Sequence, residues 1–256
     1  ALTAILVLAF MRYADESSMA RLLPVALAGV AASLMKTHGT LLLPAFALAV
    51  LLLPRSQAGA AGWRVAAGHA ALLIAAWLAG IALARGLLGG GWSLNPLGTF
   101  YTDVANDSAS RLGSGLGPYL EVAKAHASHG MLVAGVPVLL AVLSALRGLA
   151  RRSPAQRAID AVNLALVCAL AGMVLVSIMY TVSEAGQRPL ETLARIHGRY
   201  YEHLLLLAAI GGAVAAPGLL AANKAIRWGM LAAGGVMIVL AYVASNGLGW
   251  QSPNDY

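Results

Sequence analysis

The sequence predicts an all-α fold, a polytopic transmembrane helix bundle of about seven to eight helices, and three observations predict it. First, 60% of the 256 residues are hydrophobic and only 11% are charged, with a mean hydropathy of +0.77. A soluble domain carries about 25% charged residues, and a chain of this length still needs a polar surface. Lipid as the solvent removes that need. Second, the apolar runs are long and unalternated, a helical pattern and not a barrel pattern. A bilayer accepts only backbone that satisfies its own hydrogen bonds. Third, the charges are distributed unequally about the runs.

The elements follow from apolar runs and polar breaks. Residues 1–11 form an apolar run that would make about 16 Å of helix, where a span needs roughly 20 residues. The chain therefore reads as a single transmembrane domain over 1–256 that lacks an N-terminal part upstream of Ala1. Further spans are expected at 22–35, 40–53, 67–88, 130–147, 159–182, 203–221 and 229–249. Two substantial outer loops are expected at about 89–129 and 183–202. No internal repeat or low-complexity tract interrupts the pattern.

Placing residues 12–21 in the cytoplasm and alternating from there puts ten basic residues against three acids on that side. The ten are Arg12, Arg21, Arg55, Arg64, Arg147, Arg151, Arg152, Arg157, Lys224 and Arg227. The opposite side holds seven basic and seven acidic residues, so the whole net charge of +7 lies on one face. That placement explains the basic balance and makes a nucleic-acid partner unnecessary. Trp63, Trp92, Trp228 and Trp250 fall at the expected interfaces. The single cysteine, Cys168, lies inside an apolar run and reads as a small buried hydrophobe.

Two clusters of ionisable residues stand next to the spans. Met35-Lys36-Thr37-His38-Gly39 separates two apolar runs of about 14 residues, some 21 Å of helix apiece, too short for two full spans. A short hairpin fits better, with Lys36 and His38 at or just below the outer interface. There a lysine and a histidine need a partner or water, and an anionic head group is one such partner. Snorkelling of Lys36 to the interface is the competing reading. The second cluster, Arg195-Ile196-His197-Gly198-Arg199-Tyr200-Tyr201-Glu202-His203, leads into a Leu-rich span. Arg199 and Glu202 at i,i+3 can pair, and paired guanidiniums suit bidentate phosphate recognition. Tyr200 and Tyr201 read as interfacial aromatics.

Other polar positions carry less. Asp103 and Asp107 read as residues of a solvated loop, and His126 and His129 as surface histidines without a third ligand. His69, within a span, reads as a satisfied packing histidine. No glycine-rich phosphate loop, GxSxG elbow or CxxC is present, so neither a cofactor nor a metal is expected.

The two clusters also carry a resemblance. Ala28-Gly29-Val30-Ala31-Ala32-Ser33-Leu34-Met35-Lys36-Thr37-His38-Gly39-Thr40-Leu41-Leu42-Leu43-Pro44 resembles the short-helix pair of the GT-C superfamily of membrane glycosyltransferases. That superfamily includes the protein O-mannosyltransferases and the lipid A aminoarabinose transferases. Gly198-Arg199-Tyr200-Tyr201-Glu202-His203-Leu204-Leu205 is similar to the Arg-Tyr-rich start of a late span there, although Leu204–Leu207 stand where the family often has proline. The resemblance implies transfer of a sugar from a polyprenyl-phosphate carrier to an acceptor at the outer face. It also implies an acidic catalytic residue in a first outer loop, upstream of Ala1, so no catalytic residue is assigned here. Arg199, Lys36, Arg195 and His38 are then the candidates to hold the donor phosphate, with Glu202, Tyr200 and Tyr201 in support.

The chemistry agrees with that placement. Transfer needs a base for the acceptor hydroxyl and cations for the departing phosphate. The expected partners are membrane lipid and a polyprenyl-phosphate-linked sugar. The Arg-over-Lys and Ala-rich usage points to a bacterial inner (plasma) membrane. A transporter or flippase, or a non-catalytic membrane subunit, are the alternatives.

Overall fold

The computed structural model describes residues 2–35, 37–52, 59–87, 98–113, 115–150, 157–185, 201–222 and 224–247. Among these residues the chain is helical and contains no strand. The α-helices are α1 (Leu2–Asp15), α2 (Met19–Met35), α3 (Leu42–Leu52), α4 (Gly59–Leu87) and α5 (Gly98–Leu112). They continue with α6 (Gly117–Ala150), α7 (Arg157–Glu184), α8 (Glu202–Ala222) and α9 (Lys224–Gly247). A 3-10 turn, Thr37–Leu41, joins α2 to α3.

Three helices are long and apolar enough to cross a membrane: Gly62–Leu87 of α4, Ala158–Glu184 of α7 and Glu202–Ala221 of α8. The bent helix α6 makes a fourth if its two limbs count as one span. Helices α2 and α3, with 17 and 11 residues, reach only about 26 and 17 Å. They are the short pair expected from the runs around Lys36.

Helix α7 is the axis of the molecule. It packs against α1 and α3 on one side and against α5, α6 and α8 on the other. The core follows it, from Leu6, Phe10 and Phe46 to Leu166, Met173 and Leu204, all essentially inaccessible. Phe10 meets Phe46 edge-on with ring centroids 4.8 Å apart, a favoured aromatic geometry. Lipid is as apolar as leucine, so close backbone approach and internal hydrogen bonds must supply what hydrophobic burial supplies in water. The pair Gly211-Gly212 gives α8 that approach. A Cβ at Gly212 would lie 1.9 Å from the Pro137 carbonyl oxygen, and one at Gly211 would lie 2.1 Å from Asn163 Oδ1.

Polar bonds fix the register at one end. Arg147, near the end of α6, donates to Asp160, near the start of α7: Nη2 to Oδ1 at 2.6 Å and Nε to Oδ2 at 3.1 Å. Ser144 Oγ donates to the same Oδ1 at 2.5 Å. Asn163 Nδ2 donates to Ser144 Oγ at 2.9 Å and to the Gly211 carbonyl at 3.2 Å, which ties in α8. Arg147 and Asp160 were counted from the sequence only as charges at the cytoplasmic ends of their spans, and each side chain is only 8% exposed.

One expectation is corrected here: helix α5 covers Gly98–Leu112, so Asp103 and Asp107 stand on a helix and not on a loop. The span expected at 130–147 corresponds to the second limb of α6, Val133–Leu149. The first limb, Gly117–Met131, meets it at 91°, and Ala134 leaves helical geometry (φ −150°, ψ 23°). Pro137 supplies the cause, because it has no N–H to give the Val133 carbonyl. His69 is as expected: its Nδ1 shares a 2.8 Å hydrogen bond with the buried Tyr13 hydroxyl.

Candidate functional site

The first turn of α8 builds one wall of the site. The Tyr201 carbonyl accepts from the N–H groups of Leu204 and Leu205 at 2.9 and 3.0 Å, so the helix starts here. The Tyr201 ring turns inward and is 1% exposed. Glu202, one residue on, is 46% exposed. A carboxylate in a first turn is favoured by the partial positive charge of the helix start.

The first limb of α6 builds the opposite wall. His126 and His129 lie on one face of it, three residues apart. His126 Nδ1 and Tyr201 Oη are 2.7 Å apart in a buried hydrogen bond, with the rings edge to face at 5.5 Å. His129 Nε2 lies 3.8 Å from Glu202 Oε1, and its ring lies 6.4 Å from that of Tyr201. The expectation of surface histidines is therefore overturned: His126 is 2% exposed and His129 faces α8. Their i,i+3 spacing was visible in the sequence. What the sequence lacked was the bend that carries the limb across to α8.

The C-terminal end of α7 is held by α5. Arg111 Nη1 donates to the carbonyls of Val182 and Ala185 at 2.9 and 3.2 Å, and its Nε lies 3.1 Å from Asp107 Oδ2. A guanidinium there meets the unsatisfied carbonyls and the negative pole of the helix end. Tyr119, near the start of α6, hydrogen-bonds the Ser108 hydroxyl at 2.9 Å and also its carbonyl, which joins the limb to α5.

The turn after α2 is set by Ser33 and Gly39. Ser33 Oγ donates to the carbonyls of Gly29 and Gly39, at 2.9 and 3.2 Å. A Cβ at Gly39 would stand 2.1 Å from the Ala32 carbonyl oxygen, so only glycine lets the chain fold back this tightly. Of the residues expected in the donor-phosphate site, Lys36, Arg195, Arg199 and the supporting Tyr200 lie outside the described residues. The backbone of His38 lies within the 3-10 turn. Tyr201 and Glu202 are described, and they come together with the two histidines.

Depth along α7 relates these parts. Asn163 touches Gly211 on antiparallel α8, and nine residues of helix, about 14 Å, separate Asn163 from Gly172 and Gly211 from Glu202. Glu202 is thus level with Gly172. Leu41, the last residue of the 3-10 turn, comes within 3.9 Å of where a Cβ on Gly172 would be. The bend of α6 is ten residues from Ser144, and Ser144 is linked to Asn163, so the bend falls at the same level. Helix α7 then runs on for twelve residues, about 18 Å, to Glu184. The 3-10 turn, the bend and the start of α8 therefore surround α7 at one depth.

An apolar groove lies below the turn, between α3 and α4, with a volume of about 600 Å³. Pro44, Ala47, Leu51, Ala67, Ala70 and Ala71 are among its lining. Among the described residues no three His, Cys, Asp or Glu side chains converge on a possible metal position. No family model, curated protein or solved structure matches the chain.

Proposed function

We propose that this chain belongs to a membrane glycosyltransferase that moves a sugar from a polyprenyl-phosphate carrier to an acceptor at the outer face of a bacterial inner membrane. The observation that carries the reading is the common depth of two elements beside α7. The turn that follows Lys36 and the helix start that follows Arg199 and Tyr200 lie at one level. Cationic residues that lead into two elements at one depth suit a single phosphate, and the apolar groove next to the turn suits the hydrocarbon of its carrier. In this reading the whole chain is a polytopic bundle of seven to eight membrane helices. Arg199 takes the phosphate first and Lys36 second, with Arg195 and His38 beside them. Glu202, Tyr200 and Tyr201 hold the helix start in shape. The acceptor hydroxyl gives its proton to a base and its oxygen bonds to C1, the C1–O bond to the phosphate breaks, its electron pair leaves with the phosphate, and the cations stabilise that charge.

The test uses the full-length protein in membranes supplied with a polyprenyl-phosphate-linked sugar. Arg199→Ala is expected to lower transfer by about 10²–10³-fold, and Lys36→Ala by less. Transfer at the parental rate in both variants overturns the assignment. The buried Arg147–Asp160 pair favours a second reading, a transporter, since ionised groups inside helix bundles often mark translocation paths. Movement of the carrier across the membrane without a glycosylated product would select it.

A further inference from the structure

The first limb of α6 has the anatomy of a lid. It leaves the second limb at 91°, at a break where Pro137 removes one helical hydrogen bond and where Gly130 and Gly135 flank the bend. Beyond the break the recorded side-chain links from the limb to α8 are the His126–Tyr201 hydrogen bond and the His129–Glu202 contact. They differ in kind. The first is buried and short. The second spans 3.8 Å, longer than a hydrogen bond, and its carboxylate is half open to solvent. A neutral imidazole gains little at that distance. A protonated one gains a charge-assisted hydrogen bond on closing by less than about 1 Å.

We propose that the His129–Glu202 pair is a proton-operated clasp that closes the first limb of α6 onto the start of α8. The proposal does not depend on the group that the protein transfers. Glu121, Lys124 and His126 share the limb with His129, and Tyr201 and His203 flank Glu202 on α8. The helices α7 and α9, which also pack against α6, carry Tyr180, Glu184 and Tyr242. Glu202 is the acid recorded against the imidazole, and Tyr201 is already committed to His126. Proton uptake by His129 therefore closes the clasp as pH falls, and proton loss releases it as pH rises.

The test is the distance between spin labels at Leu120, on the exposed side of the limb, and Leu206, on the exposed side of α8. The full-length protein carries Cys168→Ala and sits in lipid nanodiscs, measured at about pH 5 and about pH 8. A shorter, narrower distribution at the lower pH is expected. His129→Gln and Glu202→Gln should each give one broad distribution at both values, and His129→Arg should give the narrow one at both. His126→Gln should keep the pH response. An unchanged distribution across pH in the parent overturns the clasp. So does a pH response that survives His129→Gln, or one that vanishes only with His126→Gln. If His129→Gln does not assemble, Glu202→Gln decides by the same criterion.

Discussion

Asp160 meets three donors on Arg147 and Ser144 while sitting almost out of solvent. Separating two opposite charges in such a place leaves the survivor buried without compensation, whereas removing both removes the problem. Asp160→Ala is therefore expected to destabilise the protein by about 3–5 kcal/mol. The double change Arg147→Met with Asp160→Leu is expected to cost far less, or nothing. Thermal unfolding in detergent micelles checks both, and equal losses would contradict the pairing. At this scale the sequence was a partial guide. His69 was legible as a packing histidine because it lies alone in an apolar run, and Tyr13 completes it. His126 was not, because its partner is 75 residues away and nothing local announces Tyr201. The pairing of Arg147 with Asp160 was not legible either, because the two lie on different helices. A residue near a helix end is solvated or buried according to what crosses it.

Among the helices, α5 and α6 depart most from the expectations. Apolar runs identify elements that face lipid, and α2, α3, α7 and α8 emerged from them within a few residues, while α4 and α9 begin eight and five residues before the runs expected for them. Helix α5 contains Asp103, Asp107 and Arg111 and has no apolar run to announce it. The bend of α6 was legible only as a proline within a span, and a proline does not say how far a helix turns. What keeps α5 in place is the Arg111 side chain on the last carbonyls of α7. Arg111→Ala is expected to loosen this contact by about 0.3–2 kcal/mol. Amide exchange over the last two turns of α7 should then quicken, while the turns around Asn163 keep their protection. Uniform acceleration along α7 would mean that Arg111 supports the fold as a whole and not this helix end.

For the whole molecule, sidedness is the property most open to test. The sequence puts its net positive charge on one face, and α4, α7 and α8 have the length to join two faces. Single cysteines at Arg64, near the start of α4, and at Leu120, on the limb of α6, are both exposed positions. In a background with Cys168→Ala, a membrane-impermeant maleimide added to intact cells is expected to label the second and spare the first. Labelling of both, or the reverse order, would break the alternation on which the outward placement of the phosphate site rests.

The position of α7 has a consequence for biogenesis. Residues 157–184 are made after α1–α4, yet they supply the surface on which α1 and α3 close. The early helices must therefore wait in the membrane with small, tightly shaped faces unmatched until α7 arrives from the ribosome. Insertion of this protein is in that sense not sequential. Its first half is assembled retroactively, and a chain halted before residue 157 would offer those faces to quality-control proteases.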